Sequence, residues 1–266
     1  EVAVVRIDGP DGKPRSLLLH HTCHPTHGYP KHYISADWCG DWATMMHEHL
    51  GKAGVAPLVI NGCCGNIAPN DHMNPKHQRN QQQMAECLTE SATAVLSRAG
   101  EMREAPVRFA SRRLAIPIRE VDAKTLADAR QLLADHPTPW WRQSEPDAVE
   151  WDWLYAIGRL EVDRMRQEQG TFDYEVQAFR IGDLAVLALV GEPFVEAQLQ
   201  IKLKSPAALT LVAHMSNGYV GYIPTKYALE HGGYETWTGF GSKLCADALD
   251  TITQASTQLL DELFAD

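Results

Sequence analysis

The sequence predicts an α/β fold, a mixed β-sheet core flanked by helices. Three observations point there. Short apolar runs alternate with longer stretches of helical period along the chain. Clusters of Gly, Pro, Asp and Asn fall between them, where turns need those residues. Two of the apolar runs lead into a polar residue locked before proline, His24-Pro25 and Glu192-Pro193, as suits strand ends at the rim of an open sheet.

Residues 2–7 alternate as a strand, residues 8–14 form a turn, and residues 16–19 return as the second strand of a hairpin. Residues 37–51 carry apolar side chains at Trp38, Trp42, Met45, Met46 and Leu50, a helical spacing. The run at 57–60 is a buried strand that feeds the glycine turn 61–66. Residues 78–98 form a long amphipathic helix. Residues 107–118 alternate as a strand, and residues 122–168 are helical and charged, broken by His136-Pro137-Thr138-Pro139. Strands at 175–180 and 184–190 are joined by the turn Ile181-Gly182-Asp183. A helix at 194–204, a strand at 209–214 and a last helix at 242–264 complete the order. No repeat, low-complexity segment or linker interrupts it, so residues 1–266 are expected to form a single domain.

Hydrophobic residues make up 44% and charged residues 22%, ordinary values for a globular chain. Lys and Arg number 24 against 34 Asp and Glu, a net charge of −10. That balance, with no basic run, argues against a nucleic-acid partner. No apolar stretch approaches the roughly 20 residues that span a bilayer. The first residues lack a basic segment followed by an apolar one, so no signal peptide is expected. Six cysteines in a chain this long do not form a disulfide scaffold, and vicinal Cys63-Cys64 reads as small residues in a tight turn. A reducing, cytoplasmic location is the expectation.

The chemistry concentrates in His20-His21-Thr22-Cys23-His24-Pro25-Thr26-His27, where four histidines follow an apolar strand. They read either as a metal site or as polar loop residues. Pro25 holds His24 extended at the rim. Zinc takes imidazole nitrogen and carboxylate oxygen, and a catalytic zinc keeps one position open. An acidic partner at another strand end is therefore needed, and Glu192 repeats the setting of His24; its other reading is a helix N-terminal carboxylate. Asp37 is either a proton-handling carboxylate or the N-cap of the following helix. The loop 216–225, with Tyr219 and Tyr222, is followed by Tyr227 and Tyr234, and its glycines let backbone turn tightly around a ligand. Trp140, Trp141, Trp151 and Trp153 could line an apolar cleft or pack among helices.

Five segments occur in order: His24-Pro25-Thr26, Ile34-Ser35-Ala36-Asp37, the loop 61–69, Gly191-Glu192-Pro193-Phe194 and the loop 217–225. Together they resemble the catalytic domain of the neutral/alkaline (non-lysosomal) ceramidase family and its bacterial relatives. The resemblance implies a zinc-dependent amide hydrolase. It assigns His24, Glu192 and Tyr222 as zinc ligands and Tyr234 as the phenol that contacts the reacting amide. The family's first zinc histidine lies in a segment ahead of Glu1. By that comparison the chain is the C-terminal part of a longer fold, and either a partner polypeptide or a local histidine such as His21 supplies the missing ligand. Where ceramidases carry a serine nucleophile in Gly-Asp-x-Ser-Pro, this chain has Gly65-Asn66-Ile67-Ala68-Pro69. Attack by a zinc-activated water is then the expected chemistry, since zinc lowers the pKa of water from 15.7 to about 7. Backbone N–H groups of the turn 62–65, Gly65 included, could support the oxyanion beside Tyr234, with Asn66 next to them. No C-terminal immunoglobulin-like domain is present in the sequence, so the expected substrate is a small amide, ester or lactone. The alternatives are an inactive ligand-binding relative and a subunit that completes a partner's active site.

Overall fold

Strands β1 (Ala3–Asp8) and β2 (Pro14–His21) pair antiparallel as the expected hairpin in the computed structural model, which describes residues 1–51, 54–74, 76–102, 105–142 and 148–265. Helix α1 (Asp37–His49) then carries the chain to β3 (Ala56–Asn61), which pairs parallel with β2. The first sheet thus runs β1-β2-β3. Side chains alternate across it. Leu17 and Leu19 pack on one face against Trp38, Trp42 and Met46 of α1 and Leu88 of α2 (Gln81–Leu96). Ala3, with Val5 and Ile60 beside it, faces the other way.

The second sheet is built from β4 (Val107–Pro117), β5 (Thr171–Ile181), β6 (Leu184–Leu189) and β8 (Leu209–Ala213), in that spatial order. Its first two pairings are antiparallel and its last is parallel. Tyr174, Val176, Leu187 and Leu189 bury one face against α5 (Val195–Lys204) and α7 (Ala248–Phe264). Helices α3 (Ala123–Asp135) and α4 (Trp151–Glu168) form an annex with a small core of Ile118, Val121, Leu126 and Val162. Two short strands, β7 (Glu192–Pro193) and β9 (Tyr222–Ile223), pair parallel beyond the end of β6. No helix among the described residues is long and apolar enough to cross a membrane.

The α/β class stands, with two mixed sheets and a ribbon in place of one sheet. The division falls between β3 and β8, where a ladder would have joined them. There the buried His20 ring contacts the Val212 backbone at 3.1 Å, and the His214 N–H reaches the Asn61 carbonyl at 3.2 Å. His20 and His21 are therefore strand residues and not loop residues. The expected helical region 122–168 is interrupted beyond its prolines, where Trp141 bridges Val149 ahead of α4, and residues 143–147 lie outside the described residues. Helix α2 begins three residues late because Asn80 caps it, accepting from the Gln83 N–H at 3.1 Å. Residues 242–247 pair with other backbone, Leu244 with Ile118 and Ser242 with Gly239, before α7 starts. The tyrosine-rich segment holds an unforeseen helix, α6 (Lys226–His231), capped by the Thr225 side chain. The fully buried tryptophans are Trp38 and Trp42, whereas Trp141 and Trp151 are half exposed on the annex.

Candidate functional site

Beyond the end of β2 the chain stays extended because the Asn61 side chain replaces a ladder rung. It accepts from the Cys23 N–H at 3.2 Å and donates to the Cys23 carbonyl at 3.1 Å. The His24 N–H then bonds the Ile67 carbonyl at 3.0 Å. This pins His24 from both sides. Its Nδ1 lies 2.9 Å from the Cys64 thiol and its Nε2 lies 3.5 Å from Glu192 Oε2, with both side chains of that facing pair largely buried.

Glu192 and Tyr222 emerge side by side through a close stack of glycines. The Glu192 N–H bonds the Gly221 carbonyl at 2.9 Å, and the Tyr222 N–H bonds the Gly241 carbonyl at 2.7 Å. Gly191 and Gly221 both have positive φ, 71° and 86°. A Cβ on Gly191 would meet the Gly221 carbonyl oxygen at 2.7 Å, and one on Gly221 would meet that of Gly241 at 2.2 Å. Only glycine allows this approach. The Tyr222 ring then sits 6.4 Å from that of His24, and its hydroxyl contacts the Tyr234 hydroxyl at 2.9 Å. Tyr219 donates to Glu192 Oε1 at 3.0 Å. The imidazole, the acid and the phenols, far apart in sequence, converge.

Burial sets the charges. It lowers the pKa of His24, so the imidazole is neutral. Burial raises Glu192, and the Tyr219 hydroxyl opposes that rise. Tyr219 is pushed up to about 12 by burial and then by the Glu192 charge. Burial also raises Tyr222 and Tyr234, so these phenols keep their protons at neutral pH. His214, at the end of β8, falls to about 4 through burial and the nearby His24. The Cys64 thiol is driven well up by burial and then Glu192, which holds it protonated.

The remaining expected residues have other partners. Asp37 does not cap α1; it takes a positive φ of 52° inside the helix's first turn. Its carboxylate accepts from His27 Nδ1 at 2.6 Å and from the Gly28 and Trp38 N–H groups, which fastens the loop 24–37. Asn66 accepts from the Val195 N–H at 2.8 Å and donates to Glu196 at 3.0 Å, so it caps α5. The N–H groups of Gly62, Cys63 and Gly65 are spent on the His21 carbonyl, the Gln198 side chain and the Pro193 carbonyl, and are not free for an oxyanion. His21 turns to the Glu1 carbonyl and the edge of Trp38. Ala68 lines a shallow hollow with Cys23, His27 and Met84. Sequence reasoning gave no functional part to Cys64 or His214 and named Tyr219 only among the tyrosines of its loop. His214 carried the one available signal, a polar residue closing an apolar strand, as at Glu192.

Among the described residues no group of three or more His, Cys, Asp or Glu side chains stands in an arrangement that could hold a metal. Two such donors, His24 and Glu192, face one another, and the Tyr222 ring lies 6.4 Å from that of His24. Two zinc ligands at about 2.1 Å in a tetrahedral shell stand about 3.4 Å apart. The 3.5 Å between His24 Nε2 and Glu192 Oε2 matches that, and neutral imidazole with carboxylate is zinc's chemistry. The donor types and the spacing of this one pair are compatible with zinc.

No family model matches the chain, and no curated protein matches it. Solved structures do. The neutral ceramidase of Pseudomonas aeruginosa aligns with a TM-score of 0.63 at 15% identity, over 97% of this chain and 45% of that one. A ceramidase complexed with C2 aligns with a TM-score of 0.66 at 16% identity, over 97% and 47%. The fold is ceramidase-like, and the chain spans just under half the length of each of these proteins.

Proposed function

We propose that the chain is a zinc-dependent hydrolase of an amide, ester or lactone bond. The reading rests on one observation above all: His24 beyond β2, Glu192 and Tyr222 on the β7–β9 ribbon, and Tyr234 after α6 lie close together. His24, Glu192 and Tyr222 would hold the metal. Zinc, when bound, supplies Lewis acidity and lowers the pKa of water at the site. The chain's own residues do the rest. Tyr234 is half exposed and keeps its proton, so its hydroxyl is available to donate to the oxyanion that develops on a scissile carbonyl. Tyr222 bonds the Tyr234 hydroxyl and restricts its swing. Ala68 carries no hydroxyl and Asn66 is committed to α5, so the nucleophile is water and not a side chain.

A fourth donor comes, in this reading, from an N-terminal partner polypeptide. Support is the three-donor set and the edge of β1, which among the described strands pairs only with β2. The test is metal analysis of the purified protein together with hydrolysis of a panel of short N-acyl amides, esters and lactones. About one zinc per chain is expected. His24→Ala and Glu192→Gln should each cut metal content and turnover roughly 100-fold. Tyr234→Phe should keep the metal and lose roughly 100-fold in kcat. Wild-type turnover in both ligand variants would overturn the reading. Stoichiometric zinc without hydrolysis of any panel member would favour a subunit that needs its partner.

A further inference from the structure

We propose that Cys64 and Tyr219 are positioning residues that aim His24 and Glu192 at a common point, so that metal affinity depends on a thiol and a phenol outside the ligand set. The inference rests on the zinc reading above. Each facing ligand has a second polar atom, and a free side chain could turn the wrong one inward. On His24 the outer atom is Nδ1, 2.9 Å from the Cys64 sulfur. That sulfur is itself hemmed in by Asn61 Nδ2 at 3.5 Å and His214 Nε2 at 3.5 Å. Cys64 is fully buried in a turn whose neighbouring N–H groups at Cys63 and Gly65 are tied to α5 and β7, so the sulfur has no room to swing. A neutral imidazole that gives Nε2 to a metal carries its proton on Nδ1, and the sulfur is the acceptor waiting there.

On Glu192 the outer atom is Oε1, which accepts the Tyr219 hydroxyl at 3.0 Å and leaves Oε2 facing His24. Tyr219 reaches in from the surface on the segment whose Gly218 carbonyl binds the Gly191 N–H. The two clamps approach from opposite elements, the β3 turn behind the imidazole and the tyrosine loop behind the carboxylate. Partners of this kind fix ring tautomer and carboxylate rotamer without touching the metal.

The test measures zinc affinity of the protein by competition with a chromophoric chelator, alongside the absorption spectrum of the cobalt(II)-substituted protein. Tyr219→Phe and Cys64→Ala should each weaken zinc binding by about 10- to 100-fold. Cys64→Ser, which restores an acceptor at nearly the same place, should recover most of the loss. Thermal melting without metal checks that the variants fold, and Tyr219, half exposed, keeps the test open if Cys64→Ala does not. Affinities within about twofold of wild type in both Tyr219→Phe and Cys64→Ala, or in Tyr219→Phe alone should Cys64→Ala not fold, would overturn the inference and leave the zinc reading standing. A sulfur-to-cobalt charge-transfer band that vanishes in Cys64→Ser would overturn it too, because Cys64 would then be a ligand. A wild-type protein that binds no zinc would overturn both.

Discussion

His20 is 1% exposed, and both of its ring nitrogens have partners. Lys202 Nζ lies 3.4 Å from Nδ1, while Nε2 lies 3.1 Å from the Val212 carbonyl oxygen and 3.2 Å from the Val212 backbone nitrogen. Protonating the ring would set a second cation against the Lys202 ammonium, which Glu1 offsets only in part through its 2.9 Å ion pair with Lys202. Burial first, and Lys202 second, therefore lower His20 from 6.5 to about 4. The folded pKa lies below the unfolded one. Between pH 6.5 and 4 the unfolded chain binds a proton that the folded chain refuses, so this group's contribution is complete above about 6.5 and is lost as pH falls. The loss reaches roughly 3 kcal/mol from this one group. His20→Gln should flatten the stability–pH slope in that range by about 1.4 kcal/mol per pH unit, read from denaturant unfolding at stepped pH. An unchanged slope would place the ring's titration elsewhere. None of this is legible from the sequence, in which His20 and His24 belong to one histidine run. What separates them is strand phase: His20 is still on the ladder, while His24 and Glu192 are each held at a rim before a proline, a local constraint that sequence displays. Cys64 and Tyr219 act through neighbours 40 and 27 residues away, and no local pattern marks such pairs.

The β7–β9 ribbon is an element of two residues on each strand, too short to hold by its own hydrogen bonds. It persists because three glycine backbones, at 191, 221 and 241, stack behind it. Sequence periodicity found the long elements, since β4, β5, α2 and α7 each present many periodic side chains. It missed this ribbon because two residues carry no period, and it misjudged helix starts where a cap or a backbone pairing intervenes, as at Asn80 and Leu244. The glycines predict a sharp contrast. Gly12, in the β1–β2 turn, has φ 73° and nothing within 4 Å of an added Cβ, so Gly12→Ala should cost only the left-handed penalty of about 1 kcal/mol. Gly221→Ala adds a backbone collision at 2.2 Å and should cost about 3 kcal/mol or more. Hydrogen exchange at the Tyr222 amide should accelerate in the second variant and not the first. Equal costs for the two would show that conformation alone, without the close approach, explains Gly221.

On the scale of the molecule, the site straddles a seam. His24 and Cys64 follow strands of the first sheet, whereas Glu192, His214 and Tyr222 follow strands of the second or its ribbon. What holds the two sheets in register is the cluster of Ala3, Leu184 and Leu211, with Val5, Ile60 and Val186 around it, and the backbone bond from His214 to Asn61. The facing donors belong to different sheets, so their 3.5 Å separation depends on this seam as well as on the local clamps. Leu211 is fully buried, and Leu211→Ala should cost about 3 kcal/mol through the cavity it leaves. Leu126→Ala, in the annex core, should cost a comparable amount away from the seam. The two variants separate global stability from site geometry. Hydrogen exchange at the His214 amide should quicken in Leu211→Ala beyond what its lost stability accounts for, and zinc affinity should fall roughly fivefold or more. Leu126→Ala at matched stability should leave both unchanged. Were the annex variant to weaken metal binding as much as the seam variant, the donors would be answering to overall stability, and the seam would have no special hold on them.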